Sequence, residues 1–256
     1  MSRLIRLEGI ENFRDFGGCN SRSGQSVSGA LLYRSGHYAA ATAADLERLN
    51  TFGIDMVLDL RRPSERRRET CRHDLFARTI ISNDADDDRT AWLEALKTAD
   101  LTADWFRRDR LQFYAQMPFE ARHIDLFSRW FRALAASEGA ALVHCAAGKD
   151  RTGVVCALTQ HLLGVHEDDI VADYLSSNED SQLNRWIAEA ASGFELACGK
   201  RPKDEALRVG VQVSPEYLQA TFDRVTEVCG SIDAYLEEIL GVDAALRDCL
   251  AAKLLR

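Results

Sequence analysis

Residues 140 to 163 read AALVHCAAGKDRTGVVCALTQHLL, and no other stretch of the chain restricts its fold so tightly. An apolar run, Ala140 to Val143, leads into His144 and Cys145, and a second apolar run spans Val154 to Leu163. Between them lie a thiol, two cations and almost no side-chain bulk. This order predicts a buried strand ending at His144, a short loop containing Gly148, and a helix beginning near Arg151.

Such a loop points successive backbone N–H groups inward and adds the positive end of a helix dipole, which together cradle an anion. Ala146, Ala147 and Gly148 suit it, because bulk would keep the backbone from wrapping a tetrahedral dianion. Arg151 offers a planar fork to two phosphate oxygens. The same field favours thiolate, so Cys145 is expected to have a depressed pKa and to be nucleophilic. A C-x5-R spacing alone is weak, and a buried cysteine beside a surface arginine is the plain alternative; the strand–loop–helix context is what gives the spacing weight. A kinase-type P-loop is excluded, since GxxxxGK[ST] needs Gly at Val143 and Ser or Thr at Asp150. Adjacent strand residues face opposite sides, so His144 is expected to orient the loop through hydrogen bonds and not to pair with Cys145.

At 256 residues with 46% hydrophobic content, the chain can build the core of one α/β domain. A net charge of -8 excludes a generic nucleic-acid binder, although a locally positive pocket for an anionic substrate is compatible with it. Seven cysteines without a CxxC pair read as free thiols in a reducing compartment. No apolar run reaches the roughly 18 residues of a membrane span, and the start, MSRLIRLEGI, carries no secretory h-region. A cytoplasmic location is expected, with export by a route that leaves no such signal still open. No mark of oligomeric state is legible.

Strands are expected at 30 to 34, 55 to 60 and 77 to 81, with a helix at 42 to 52 between Thr42 and Gly53. An acidic loop, NDADDD, occupies 83 to 88. From 89 to 137 the pattern is helical: Trp92, Leu93 and Leu96 share one face, as do Leu111 and Tyr114, and Phe127, Trp130, Phe131 and Leu134. This excursion is either a lid or part of the packed fold. From about 165 to 256 the chain reads as all-helical, with Ser214-Pro215 opening one helix that Gly230 stops, and Ser231 opening another that ends at Gly241.

HCAAGKDRTG resembles the signature of cysteine-dependent protein tyrosine phosphatases, and its GKDR core resembles an atypical bacterial group of them. NFRDFGG (12 to 18), LYRSG (32 to 36), DLRRPSE (59 to 65), ADYLSSN (172 to 178) and SPEYLQA (214 to 220) are similar to that group in the same order. The resemblance implies a tyrosine-phosphatase-like α/β fold with a mainly parallel central sheet flanked by helices. It implies that Cys145 attacks phosphorus, that Arg151 stabilises the transition state and that Thr152 hydrogen-bonds the leaving thiolate. Substrates would be phosphotyrosine, phosphoserine or phosphothreonine proteins, or phosphoinositides, with no cofactor and no metal. Lys149, a further cation at the loop rim, favours highly charged head groups. Ala146, where some phosphoinositide phosphatases carry a basic residue, does not.

Expelling an alkoxide or phenoxide needs a general acid. Asp84 and Asp150 are the candidates. Asp84 could approach from across the pocket, whereas Arg151 beside Asp150 would keep that carboxylate ionised, so Asp150 is expected to brace the loop on a nearby cation. The plainer reading of Asp84, Asp86, Asp87 and Asp88 is a solvated loop capping the next helix. A calcium loop fails at Arg89 and Ala95, where its glycine and glutamate should stand. Arg14, with Asp15, Arg34 and Ser35, supports the pocket or binds substrate, and Asn178 positions a water or ends a helix. A phosphate-binding module without catalysis, sulfur transfer and arsenate reduction are the alternatives. The first has no use for a thiol, and the last needs a partner cysteine, for which Cys156 is poorly placed.

Overall fold

The computed structural model describes residues 4–85, 90–178 and 183–256. A five-stranded sheet in the order β1-β2-β5-β3-β4 forms its centre. The strands are β1 (Arg14–Asp15), β2 (Leu32–Ser35), β3 (Ile54–Asp59), β4 (Thr79–Ile81) and β5 (Ala140–His144). All neighbours pair in parallel except β1, which lies antiparallel to β2 at the edge. The thiol-bearing strand is therefore the middle one. Ser35, Asp59 and His144 end three adjacent strands at one level, the carboxyl edge at which open α/β sheets bind ligands.

Both faces of the sheet are covered, as a parallel sheet requires. Leu32, Met56, Leu58, Ala141 and Val143 join the large core on one face, with Phe127, Trp130, Phe131 and Leu134. Tyr33, Val57, Ala140 and Leu142 pack on the other face against Phe13, Tyr38 and Leu49. β2 starts two residues later than the sequence suggests because Ala30 adopts a left-handed φ of 61° in the turn before it. The first helix, α1 (Ala43–Thr51), has the expected cap: Thr42 Oγ1 accepts from the Asp45 amide, and Asp45 reciprocates. A short α2 (Pro63–Arg68) follows β3.

The helical excursion resolves into α3 (Thr90–Thr98), α4 (Ala103–Gln116) and α5 (Ala121–Ala136). Asp86, Asp87, Asp88 and Arg89, the remainder of the acidic loop, lie outside the described residues. On α3 only Leu96 is fully buried; Trp92 is half-buried and Leu93 is 40% exposed, so the expected three-residue face narrows. The reason is that α3 packs mainly on α8 (Leu183–Cys198), in a satellite core that also takes Phe106, Ile187 and Leu207, while Trp92 Nε1 donates to Asp109 of α4 at 2.8 Å. The helix after the thiol loop, α6 (Asp150–Leu162), is buried from Arg151 to Gln160, which accounts for its apolar residues on every side.

The C-terminal part adds α7 (Glu167–Leu175), α8, α9 (Asp204–Val211) and α10 (Pro215–Cys229), with Pro215 in the first turn and Gly230 stopping the helix at φ 84°. Ser231 caps the next segment by accepting from the Ala234 amide, but α11 (Ile232–Ala234) passes into a π-helical turn, Tyr235–Ile239, instead of continuing. The Tyr235 hydroxyl, fixed on the Pro118 carbonyl at 2.7 Å, accompanies that wider turn. After α12 (Ala244–Leu254), the chain end leaves helix and pairs with Ser26–Ser28, the Ser28 amide donating to the Leu254 carbonyl.

Two buried arginines tie this frame to α7. Arg14 Nε donates to Asp173 Oδ1 (3.3 Å), and Arg34 Nη1 donates to Asp173 Oδ2 (2.7 Å). Burial, with Arg34 nearby, pushes the Arg14 pKa down to about 10, and Asp173 opposes that fall. Replacing Asp173 by Asn leaves two guanidiniums buried without their carboxylate. Its expected cost is about 3–5 kcal/mol, read as a lower urea midpoint at unchanged slope; a midpoint equal to wild type would refute the assignment.

Candidate active site

The loop from Cys145 to Lys149 is held by its carbonyls. The His37 amide donates to the Ala146 carbonyl (2.9 Å), and Asn12 Nδ2 donates to the carbonyls of Ala147 (3.3 Å) and Gly148 (2.8 Å). Arg34 Nη2 also reaches the Gly148 carbonyl at 3.0 Å, and His144 Nδ1 lies 3.3 Å from the Cys145 carbonyl. A trans peptide points its N–H opposite to its C=O. Carbonyls turned outward at 145, 146, 147 and 148 therefore turn the amides of the next residues inward, toward the first turn of α6. Gly148 is obligatory here. Its φ is 71°, and a Cβ would lie 2.3 Å from the backbone of Ser35. Cys145 sits at the base, 2% exposed.

Arg151 is aimed by a residue that the sequence reading did not single out. Glu65, on α2, accepts from Nη1 at 2.7 Å and from Nη2 at 2.8 Å, while the Leu60 carbonyl accepts from Nη1 at 3.0 Å. Nε–H and the second hydrogen of Nη2 remain for a ligand. Burial works against both charges, yet their pairing wins: Arg151 is raised above its ordinary value and Glu65 is held down to about 2. Glu65 also accepts from the Arg62 amide, closing the first turn of α2 behind Pro63. That local cap within RRPSE was the available signal.

Asp150 braces the loop on Lys149, whose Nζ lies 2.9 and 2.7 Å from its two oxygens, and accepts from the Tyr114 hydroxyl at 2.7 Å. Burial alone would raise its pKa, but Lys149 and Arg110 more than offset this and hold it below the usual range. The cation is thus Lys149, since Arg151 is engaged with Glu65. Lys149, expected at the rim, is instead buried with its charge spent on Asp150. Thr152 Oγ1 is fully buried and has no hydrogen-bond partner among the described residues.

His144 faces away from Cys145, toward Tyr38 (ring centroids 4.9 Å) and Asp59. Burial lowers its pKa to about 3, helped by Arg61, so the imidazole is neutral. Asp59, His73 and His144 bring metal-ligating atoms within 4.8 Å of one another. Both Asp59 oxygens, however, already accept from Arg61, at 2.7 to 3.2 Å. A guanidinium thus occupies the carboxylate that a metal would need.

Arg14 reaches Asp173, Asn12 and Ser177 rather than the pocket, so its role is support. Asn178 clips the Val213 backbone through both ends of its amide (2.8 and 2.9 Å). Asp84 is 94% exposed at the side chain and pairs with Arg66 of α2 at 2.6 Å. The structure brings it to the helix that carries Glu65, but not to the loop itself.

Residues 5–256 match the tyrosine phosphatase family. A Cupriavidus necator protein that bears the name "putative tyrosine-protein phosphatase" is 34% identical, covering 94% of this chain and 85% of its own length. Triple specificity protein phosphatase PtpB of Mycobacterium tuberculosis is 32% identical, covering 91% of this chain and 92% of its own. A tyrosine-protein phosphatase of Nostoc commune is 30% identical over a shorter stretch, 59% of this chain and 50% of its own. With the thiol and the inward amides on one loop, the guanidinium in the helix turn that follows it, and the family match and two of these relatives running along nearly its whole length, the chain belongs to the tyrosine phosphatase family.

Proposed function

We propose that the whole chain acts as one phosphatase domain that hydrolyses phosphomonoesters through a phosphocysteine. The Cys145 thiolate attacks phosphorus, the bond to the substrate oxygen breaks, and Asp84 supplies the proton that leaves with the alcohol or phenol. Water then attacks the phosphocysteine, releasing inorganic phosphate and restoring the thiolate. The inward amides of 146–149 and the two spare N–H groups of Arg151 bind the phosphoryl oxygens throughout. Their charge complementarity is strongest for the expanded transition state. The observation that carries this reading is the outward fixing of the loop carbonyls, which has no purpose in a loop that binds nothing.

The unpartnered, dry hydroxyl of Thr152 supports its role as donor to the departing thiolate. For the acid, Asp150 is ill suited, because a carboxylate held ionised by Lys149 and Arg110 has no proton to give. Asp84 is exposed, one salt bridge away from release, and anchored beside α2. It must leave Arg66 to act. Phosphotyrosine is the substrate that family membership favours. A relative named for triple specificity supports a range wider than phosphotyrosine, and phosphoserine, phosphothreonine and phosphoinositides are the further esters proposed.

Hydrolysis of an aryl phosphate is expected to persist in EDTA and to vanish in Cys145→Ser; a Ser variant with wild-type turnover would end the covalent mechanism. Asp84→Ala should slow esters with poor leaving groups by about 100-fold or more and hardly affect those with good ones. Equal slowing of both would take the role of acid away from Asp84 and leave it to Asp150 or to another group. Glu65→Gln is expected to lower kcat by about a hundredfold with a smaller change in KM, because Arg151 keeps its charge but loses its alignment. An unchanged kcat would refute this positioning role.

A further inference from the structure

A cleft of about 640 Å³ opens from Asp150 and Arg151. The chemistry above uses only its floor. Trp92 of α3, Phe106 and Phe113 of α4, Phe194 of α8 and Leu207 of α9 line it, on the outside of the satellite core to which Trp92, Phe106, Phe194 and Leu207 belong. The rings meet edge to face: Phe106 and Phe194 have centroids 5.2 Å apart at 86°. A cavity of about 150 Å³ is enough for benzene, so the cleft has room for the ring of a phosphotyrosine and for more apolar groups of that size. Such a wall next to a fixed phosphate site is complementary to a substrate with a charged head and an aromatic flank.

We propose that this cleft selects protein substrates in which an aromatic side chain neighbours the phosphorylated residue. The neighbouring ring lies against the half-buried Trp92 and Phe194, which Phe106 backs from the satellite core, while the loop of Cys145 to Arg151 holds the phosphate. The inference rests on the phosphatase reading above. A peptide is favoured over an acyl chain by the mouth, where Gln112, Gln116 and Glu120 offer donors and acceptors to a backbone. The net charge of -8 also works against docking on anionic lipid.

The test compares kcat/KM for phosphotyrosine peptides carrying Phe or Ala on either side of the phosphorylated residue, with phenyl phosphate and a long-chain alkyl phosphate alongside. Wild type should favour Phe at one flanking position by about tenfold or more. Phe194→Ala should bring that ratio close to one. So should Ala190→Trp, which fills the cleft from α8 and guards against a loss of fold in the first variant. Equal rates for the two wild-type peptides, or a preference that survives both variants, would overturn the proposal. Faster turnover of the alkyl phosphate than of every peptide would give the cleft to a lipid and overturn it too. Failure of the ratio while phenyl phosphate is still hydrolysed sinks the cleft alone, whereas no turnover of any ester sinks the phosphatase reading with it.

Discussion

The site depends on carbonyl oxygens being pulled away from it. A loop of small residues between a strand and a helix has no intrinsic reason to present its amides to one point. The His37 amide, Asn12 and Arg34 supply the reason by claiming the oxygens from outside. The donors come from two segments distant from the loop in sequence, Asn12 before β1 and Arg34 and His37 at the end of β2, so the loop is fixed only in the folded protein. Gly148 is the residue that lets the backbone lie against Ser35 while doing this.

The charges around the loop follow from the same placement. Burying a guanidinium without a carboxylate is costly, and the buried arginines described here each meet one: Arg151 with Glu65, Arg61 with Asp59, and Arg14 and Arg34 with Asp173. Lys149 is likewise matched by Asp150. Five cations thus meet four carboxylates, so most of the formal charge near the phosphate site is neutralised locally, and the one positive charge in excess is shared by Arg14 and Arg34 on Asp173. What remains for a ligand is directional: inward amides, a helix N-terminus, and the unused edge of one guanidinium. This explains how a chain of net charge -8 can still bind a dianion.

The parts of this arrangement that obey a local rule were legible in the sequence. The strand–loop–helix around Cys145, the cap at Thr42, the Pro215 start and the Gly230 stop all depend on neighbours within a turn or two. Arg34 was legible as pocket support, but Glu65, Asn12 and Tyr114 were not read as partners of the loop, because they act across separations of 86, 136 and 36 residues. Periodicity carries no information about such pairs. Leu93 shows the same limit from another side: its spacing is that of a buried residue, but α3 buries only the narrow face it turns to the satellite core.

The helical excursion and the loop are mechanically joined. The Tyr174 hydroxyl donates to Tyr114 and the Tyr114 hydroxyl donates to Asp150, both at 2.7 Å, and Asp150 holds Lys149. Tyr114 belongs to α4 and Tyr174 to α7, so a displacement of α4 would break a buried chain of hydrogen bonds that ends in the first turn of α6. Unmaking such bonds, buried at Tyr174 and partly buried at Asp150, costs more than unmaking exposed ones. The excursion is therefore a part of the site's frame at its Tyr114 end, whatever freedom its α3 end retains through the smaller satellite core.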